Sequence, residues 1–361
     1  MIFEELPTVP RSEELIDQAF SRAARAGRAK SGHEAQQSML QTASNVLSDN
    51  LRNVVTAWPD FDEVHPFYFE LADAITRDEL PGETGNEPGD GVSMLRQALS
   101  ELSWASRKSK ELGREYQRRL PGDIDAAIKV RKQGFARMAD VVREIDDELA
   151  ILGSVRDLLR DLPDIRPEEP TIVVAGYPNV GKSSFVNAVT NARNETASYP
   201  FTTRGIDVGH VEREHIRFQL VDTPGLLDRP PEERNEIESQ AVSALGHLAD
   251  TVVVMVDPSA TCGYPIEVQL ELRDAIREQF SVPVLTVANK ADLAADVGAD
   301  RYGDVEADLY TVATGEEIET EGRDETAEFE VPDAIEAVSV DEVVDTAVEV
   351  VDYEPELPFE G

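Results

Sequence analysis

One eight-residue stretch, 176–183, constrains the fold of this chain more than any other part of its sequence. It matches the phosphate-binding pattern G-x-x-x-x-G-K-[ST] at every fixed position. The apolar, β-branched run Thr171–Ala175 precedes it and predicts a buried parallel strand, while residues 184–189 can open a helix. A strand, a glycine-bounded loop and a helix N-terminus turn backbone N–H groups toward an anion, so this context disfavours a chance match.

The fixed positions of this loop predict its chemistry. The Lys182 ammonium would reach the β- and γ-phosphates of a nucleotide, and the Ser183 hydroxyl would bind Mg²⁺. The predicted nucleotide contacts here are Gly176, Tyr177, Pro178, Asn179, Val180, Gly181, Lys182, Ser183 and Ser184.

Two further motifs follow, each at the end of a predicted strand. Runs at 206–211, 216–221, 251–256 and 282–288 have strand character, and helical patterns alternate with the strands. The second run leads into a D-x-x-G motif, and the fourth leads into an N-K-x-D motif: Asp222, Thr223, Pro224 and Gly225, then Asn289, Lys290 and Asp292. Open α/β sheets bind ligands at the carboxyl ends of their strands. The three motifs together predict a phosphate-loop G domain with a mostly parallel sheet.

The N-K-x-D motif predicts which base is bound. The Asp292 carboxylate can accept from the N1–H and the 2-amino group of guanine, and adenine offers neither donor. The wrong base would leave a buried acceptor unpaired, so discrimination should be strong. The Asn289 side chain would brace the loop, and the Lys290 stem would cover the ring. The predicted ligand is therefore GTP or GDP, and an ATPase is disfavoured.

The metal ligands and the γ-phosphate contacts follow from position in the domain. Asp222 would hold the Mg²⁺ shell, and the Gly225 N–H would meet the γ-phosphate. Residues 199–203 lie where such proteins keep the loop that senses the γ-phosphate. We expect Thr203 to supply the second hydroxyl, with Thr202 as the alternative. The predicted metal ligands are Ser183, Thr203 and Asp222.

Leu226 stands where Ras-like proteins place a water-positioning glutamine. Because leucine cannot orient water, we expect slow intrinsic hydrolysis unless another group stabilises the transition state. The Asn179 carbonyl could help hold K⁺ against the phosphates, where the cation would stand in for an arginine finger. The residues expected to act in catalysis are Asn179, Lys182, Thr203 and Gly225.

Length and charge bound the class of protein. The chain has 361 residues, enough for about two domains, and a net charge of −38. Apolar periodicity argues against disorder, so the charge resembles that of proteins from salt-in halophiles, whose cytosol is rich in K⁺. Cys262 is the only cysteine, and the sequence shows neither a membrane-length apolar run nor a signal-peptide pattern. We expect a cytoplasmic monomer that binds neither membranes nor DNA.

Charge and prolines divide the chain. Residues 1–170 contain 22 Lys and Arg against 32 Asp and Glu, whereas residues 171–361 contain 12 against 40. The predicted organisation is a helical bundle at 1–162, a proline-rich linker at 163–170, a G domain at 171–352 with an acidic insertion near 316–334, and an acidic tail at 353–361. Within the bundle, residues 11–57, 91–119 and 123–160 show helical spacing.

One part of the predicted bundle, residues 107–137, has a positive net charge, opposite in sign to that of the whole chain. We call it the basic window. Four acidic residues there accompany ten basic ones: Arg107, Lys108, Lys110, Arg114, Arg118, Arg119, Lys129, Arg131, Lys132 and Arg137. One interpretation is an ordinary solvated helix face with i,i+4 pairs. The other is a surface that contacts the phosphate backbone of a nucleic acid.

With these residues assigned, the chain resembles the nucleolar GTP-binding family of Obg-class, translation-factor-related GTPases. It resembles an archaeal member of that family, and its acidic composition suggests a haloarchaeal one. The most diagnostic residues are Leu-Asp-Arg-Pro at 227–230 and Glu-Glu-Arg-Asn at 232–235. Residues 52–55 and 61–68 are similar to the family's helical domain. The resemblance covers roughly residues 7–350 and weakens after Asp292.

The resemblance implies hydrolysis of GTP to GDP and phosphate, coupled to assembly of the large ribosomal subunit. On this interpretation the basic window binds a large-subunit precursor or its rRNA. The alternative is a regulatory switch whose GTP-bound form docks on a protein partner without RNA. The fifth guanine-binding motif has two candidate positions, 310–315 and 337–340.

Overall fold

The structure, a computed structural model, describes residues 2–80, 87–162, 165–190, 195–197, 206–298, 300–312 and 336–351. The chain divides into two compact units. The first comprises Met1–Val64 and Ala72–Arg160, and the second comprises His65–Leu71 and Asp161–Gly361. The predicted fold class, a helical bundle followed by a phosphate-loop G domain with a mostly parallel sheet, is confirmed.

Long amphipathic helices form the N-terminal part of the chain. They are α1 (Ser12–Arg28), α2 (Gly32–Ala57), α3 (Pro66–Glu79), α4 (Asp90–Arg118), α5 (Ile124–Glu144) and α6 (Asp146–Arg160). In the first unit, α2 packs along α4, and both α1 and α5 contact α2. Leucines at helical spacing fill the core between them, and charged residues occupy the opposite faces: Leu40, Leu47, Leu51, Leu95 and Leu102 are fully buried.

Two of the predicted helical stretches are interrupted in the structure. Residues 11–57 form α1 and α2, with a turn between them at 29–31, and Gly27 of α1 packs against Met39 of α2. The stretch 123–160 is divided at Ile145, whose ψ of 21° leaves the helical range. The apolar spacing continues through Ile145, so periodicity gives no sign of that break, whereas the break between α1 and α2 falls in residues 21–38, which contain no large apolar residue.

The second unit is built on one eight-stranded sheet. Its strands are β1 (Thr171–Ala175), β2 (Glu195–Ala197), β3 (Ile206–Arg213), β4 (Ile216–Asp222), β5 (Thr251–Val256), β6 (Val284–Ala288), β7 (Leu309–Thr311) and β8 (Ala337–Val338). Their order is β2-β3-β4-β1-β5-β6-β7-β8, parallel from β4 onward. The pairs β2–β3 and β3–β4 are antiparallel.

Helices connect these strands, and one more follows the last strand. They are α7 (Lys182–Val189), α8 (Glu236–Gly246), α9 (Ile266–Gln279), α10 (Ala294–Val297), α11 (Asp300–Gly303) and α12 (Val340–Glu349). Every residue of β1 and β5 is buried, as expected of central parallel strands with both faces covered. The strands at 171–175 and 251–256 have the predicted bounds, whereas β7 and β8 add an edge beyond β6.

The residues immediately before β1 are bound to the sheet. Gln219 of β4 accepts from the Arg166 N–H at 2.9 Å and donates to the Arg166 carbonyl at 2.7 Å. This pair of hydrogen bonds fixes the approach of the chain to β1. Among the described residues, none of the helices combines the length and the apolar character needed to cross a membrane.

Candidate nucleotide site

The loop after β1 depends on two glycines. Gly176 has φ of 132°, and a Cβ there would lie 2.3 Å from the Met255 carbonyl oxygen. Gly181 has φ of 111°, and its Cβ would lie 2.1 Å from Nδ2 of Asn289. Both the backbone angles and the space therefore require glycine. Asn179 between them also has positive φ, 64°, and its side chain is exposed.

Lys182 begins α7, and its side chain is folded against the loop. Its ammonium donates to the Gly176 carbonyl at 2.7 Å and to the Tyr177 carbonyl at 3.0 Å. Burial lowers the pKa of Lys182, and the carboxylates of Asp222 and Asp228 oppose that shift. The loop thus surrounds a buried cation with its own carbonyls, in the position where the motif predicts phosphates.

Ser183 and Asp222 meet although they follow different strands. The Ser183 hydroxyl donates to Asp222 Oδ2 at 2.6 Å. Asp222 is fully buried, and within the described part of the chain its Oδ1 has no hydrogen-bond partner. Burial raises the pKa of Asp222, while Lys182 and the Ser183 hydrogen bond act to lower it.

This pair provides the oxygen ligands that Mg²⁺ prefers, and the unpartnered carboxylate oxygen gives a cation a place to bind. The residues present therefore fit Mg²⁺. The third predicted ligand, Thr203, and its alternative, Thr202, lie outside the described residues. The whole stretch 199–203 also lies outside the described residues, so its role as the loop that senses the γ-phosphate stays a prediction.

The N-K-x-D motif follows β6 at the same edge of the sheet. Asn289 Nδ2 donates to the Val180 carbonyl at 2.8 Å, so the side chain of one motif supports the backbone of another. Asp292 lies in a short 3₁₀ turn, Ala291–Leu293, and is half-buried. Its Oδ1 has no partner among the described residues, and burial raises its pKa. Asp292 thus presents an acceptor at the site.

Lys290 is fixed at both ends by residues that the sequence motifs did not reveal. It has φ of 60°, and its ammonium donates to Asp257 Oδ2 at 2.8 Å and to Thr261 Oγ1 at 2.9 Å. The Tyr302 hydroxyl donates to its carbonyl at 2.5 Å. These partners stand 12 to 33 residues away in the sequence, so no local pattern could have identified them.

Asp257, at the end of β5, is the centre of a buried polar cluster. It accepts from the N–H groups of Ser259 at 3.0 Å and Cys262 at 2.8 Å, besides Lys290. Burial acts to raise the pKa of Asp257, but the hydrogen bonds from Lys290 and Ser259 outweigh it and lower that pKa. The cluster holds the loop after β5 against the N-K-x-D motif.

The D-x-x-G motif is packed against β1. The Thr223 hydroxyl donates to the Val174 carbonyl at 3.2 Å, and the Gly176 N–H donates to the Leu227 carbonyl at 3.1 Å. The Leu226 side chain is fully buried. It therefore serves the core.

Both candidate positions for the fifth motif contribute strands. Residues 309–311 form β7 beside β6, and residues 337–338 form β8 beside β7. The Thr311 hydroxyl donates to the Val338 carbonyl at 3.0 Å, and Ser339 caps α12. The predicted insertion at 316–334 lies outside the described residues, and both positions stay open.

Comparison with known families divides the chain in the same order as the fold. Residues 3–166 match the NOG1 N-terminal helical domain, and residues 171–290 match a domain described as 50S ribosome-binding GTPase. The second match contains the phosphate loop, the D-x-x-G motif and the first two residues of the N-K-x-D motif.

Individual relatives share both parts. An uncharacterized protein of Methanocaldococcus jannaschii is 34% identical over 302 residues, which cover 81% of each chain. Nucleolar GTP-binding protein 1 of Caenorhabditis elegans is 34% identical over 306 residues, 81% of this chain and 42% of the relative. The corresponding protein of Eremothecium gossypii is 31% identical, with 81% and 45% covered. The chain thus spans less than half the length of these two relatives.

Proposed function

Because the chain belongs to the GTPase family that joins the NOG1 N-terminal helical domain to a GTPase domain, we propose that it acts in assembly of the large ribosomal subunit. The observation that carries the nucleotide part is the convergence of three motifs at one sheet edge. Ser183 contacts Asp222, and Asn289 contacts the loop at Val180. The relatives named nucleolar GTP-binding protein 1 support the ribosomal part.

Each motif has a defined task in this proposal. Mg²⁺, when bound, neutralises charge that develops on the phosphates. Ser183 and Asp222 would hold it, and we propose Thr203 as the third protein ligand. Lys182 would bind the β- and γ-phosphates, and the Gly225 N–H would bind the γ-phosphate. At the other end of the nucleotide, Asn289, Lys290 and Asp292 would position and select guanine.

The basic window supports a contact with ribosomal RNA. Nine of its ten cations lie on α4 and α5, and Arg119 stands at the C-cap of α4. Local ion pairs involve three of the ten: Lys108 with Glu111, Arg119 with Glu115, and Arg137 with Asp140. Within the described residues, the other seven form no ion pair. A face stabilised by i,i+4 pairs accounts for few of these charges, whereas a phosphate-binding surface needs them unpaired.

The turn between α1 and α2 extends this surface. A Cβ at Gly32 would lie 3.5 Å from the Ile124 side chain, so this turn adjoins the start of α5. Arg25, Arg28 and Lys30 near the turn are exposed, and Lys30 pairs with Glu34 at 3.0 Å. Two separate stretches of sequence therefore place cations at the same end of the bundle, in a protein whose overall charge is strongly negative.

Reversing three arginines should abolish binding to large-subunit particles. In the variant Arg114→Glu, Arg118→Glu, Arg119→Glu, six units of charge change on the surface, and phosphate contacts become repulsive. Co-sedimentation with large-subunit precursors, in GDP and in a non-hydrolysable GTP analogue, measures the loss. GTP affinity should not change, because the nucleotide motifs lie in the other unit.

A matched variant separates a specific surface from net charge. Arg52→Glu, Arg96→Glu and Arg160→Glu change the charge by the same amount on exposed positions outside the basic window. This variant should still co-sediment. Normal co-sedimentation of the first variant would contradict the RNA surface and favour the regulatory switch that docks on a protein.

We also propose that K⁺ activates hydrolysis in a K⁺-rich cytoplasm, as the composition suggests. Asn179 is the candidate ligand because it lies exposed in the phosphate loop, while Leu226 is buried. Turnover should be faster in KCl than in equimolar NaCl, and Asn179→Ala should remove the difference. Asn187→Ala, an exposed asparagine on α7, should retain it. Equal wild-type rates in the two salts would refute the proposal.

A further inference from the structure

The N–H of Gly225 already has an acceptor in this structure. It donates to Oδ2 of Asp228 at 2.9 Å. Asp228 is half-exposed, and Gly225 has φ of 87°, which turns its N–H toward that carboxylate. The same N–H is the donor that the proposed function assigns to the γ-phosphate. One donor therefore has two candidate anionic acceptors, one from the chain and one from the nucleotide.

The charge of Asp228 also acts on Lys182. Its carboxylate favours the protonated form of the buried ammonium, as Asp222 does. Lys182 is the second group that the proposal assigns to the γ-phosphate. Asp228 thus interacts with both groups, by a hydrogen bond with one and by charge with the other.

The neighbouring residues hold Asp228 in place. Arg229 donates to the Gly225 carbonyl at 3.2 Å and to Glu238 at 2.6 Å. Glu238 in turn belongs to the capping box that begins α8, with Asn235. Arg234 donates to the Arg229 carbonyl at 3.0 Å. The segment after Gly225 is therefore anchored to α8. This anchoring keeps the Asp228 carboxylate next to the Gly225 N–H.

We propose that the Asp228 carboxylate competes with the γ-phosphate for the Gly225 N–H, which makes Asp228 a determinant of the preference between GTP and GDP. The inference rests on the proposed nucleotide site. GDP has no third phosphate and leaves the contact intact. GTP must break a charge-assisted hydrogen bond, and its γ-phosphate meets a like charge at short range. Asp228 consequently penalises GTP selectively.

Equilibrium binding of two fluorescent nucleotides tests this inference. The Kd values of a GDP derivative and of a non-hydrolysable GTP derivative are measured for wild type, Asp228→Ala and Asp228→Asn at the same Mg²⁺ and KCl concentrations. For Asp228→Ala, the ratio of the GTP-analogue Kd to the GDP Kd should fall about tenfold. Asp228→Asn removes the charge but keeps an acceptor, so its ratio should fall by less.

Glu232→Gln is the matched control. Glu232 is exposed in the 3₁₀ turn Pro231–Glu233, so the change removes one negative charge from the same segment and leaves the Gly225 contact intact. Its ratio should equal that of wild type. A fall of the same size in this control would attribute the effect to net charge and overturn the inference.

The remaining outcomes separate the inference from the site on which it rests. An unchanged ratio in both Asp228 variants, or an equal loss for both nucleotides in Asp228→Asn, would overturn the role of Asp228 while the nucleotide site stands. If Asp228→Ala fails to fold, the ratio of Asp228→Asn decides. Failure of the wild type to bind either nucleotide would overturn the site itself and this inference with it.

Discussion

Replacing Lys182 with alanine should lower GTP turnover by about 10²- to 10³-fold or more. The substitution removes a buried ammonium that the carbonyls of Gly176 and Tyr177 hold in position. This ammonium would stabilise the negative charge that develops during phosphoryl transfer. Phosphate release at saturating GTP and Mg²⁺ measures the effect. Ser183→Ala should have a similar result, because it removes the hydroxyl that contacts Asp222.

The control for this experiment lies in the first unit. Lys108→Ala removes a partly exposed ammonium that pairs with Glu111, and GTP turnover should stay unchanged. The helical content of all three variants should match that of wild type, since most helical residues lie in the bundle. Wild-type turnover in Lys182→Ala would refute the assignment of the phosphate loop.

Replacing Asp292 with asparagine should change the base that is bound. The amide presents a donor where the carboxylate accepts from guanine, so GTP affinity should fall by about 2 kcal/mol, or roughly 30-fold. Xanthosine triphosphate carries an acceptor at the corresponding position and should gain affinity. Competition between the two nucleotides for a fluorescent GDP derivative gives both constants.

Asp296 offers a comparison for this change. It is an exposed aspartate in α10, four residues along the chain, and Asp296→Asn should keep the preference for GTP. Retention of wild-type preference by the Asp292 variant would mean that another residue selects the base. Loss of both nucleotides together would point to damage of the turn Ala291–Leu293.

The central part of the fold could be predicted from sequence because its signals are local. The strands at 171–175 and 251–256 are unbroken apolar runs, and each motif follows a strand directly. The break at Ile145 could not be predicted, since the apolar spacing passes through it without interruption, whereas the break at 29–31 lies in a stretch, 21–38, without large apolar residues. Strands β7 and β8 are three and two residues long and flank an acidic stretch, so neither has a clear pattern.

The contacts around the motifs could not be predicted from the sequence for a different reason. Asp257 and Lys290 are 33 residues apart, and they meet because β5 and β6 are parallel neighbours. Asp228 and Gly225 are only 3 residues apart in the sequence, but their contact depends on the positive φ of Gly225. Sequence motifs give the identities of the residues at a site, whereas these partners are set by the paths of the loops.

In the proposed nucleotide site, the hydrogen bond from Asn289 to the Val180 carbonyl would affect release of the nucleotide. It joins the base-reading loop to the phosphate loop across 109 residues of sequence, and it is buried. A factor that separates the two loops must break this bond and leave the Asn289 amide and the Val180 carbonyl unpaired. By reciprocity, a partner that lowers nucleotide affinity in this way would itself bind more weakly, by the same factor, when the nucleotide is present. In the proposed site, a partner could therefore promote exchange by reaching either end of the nucleotide.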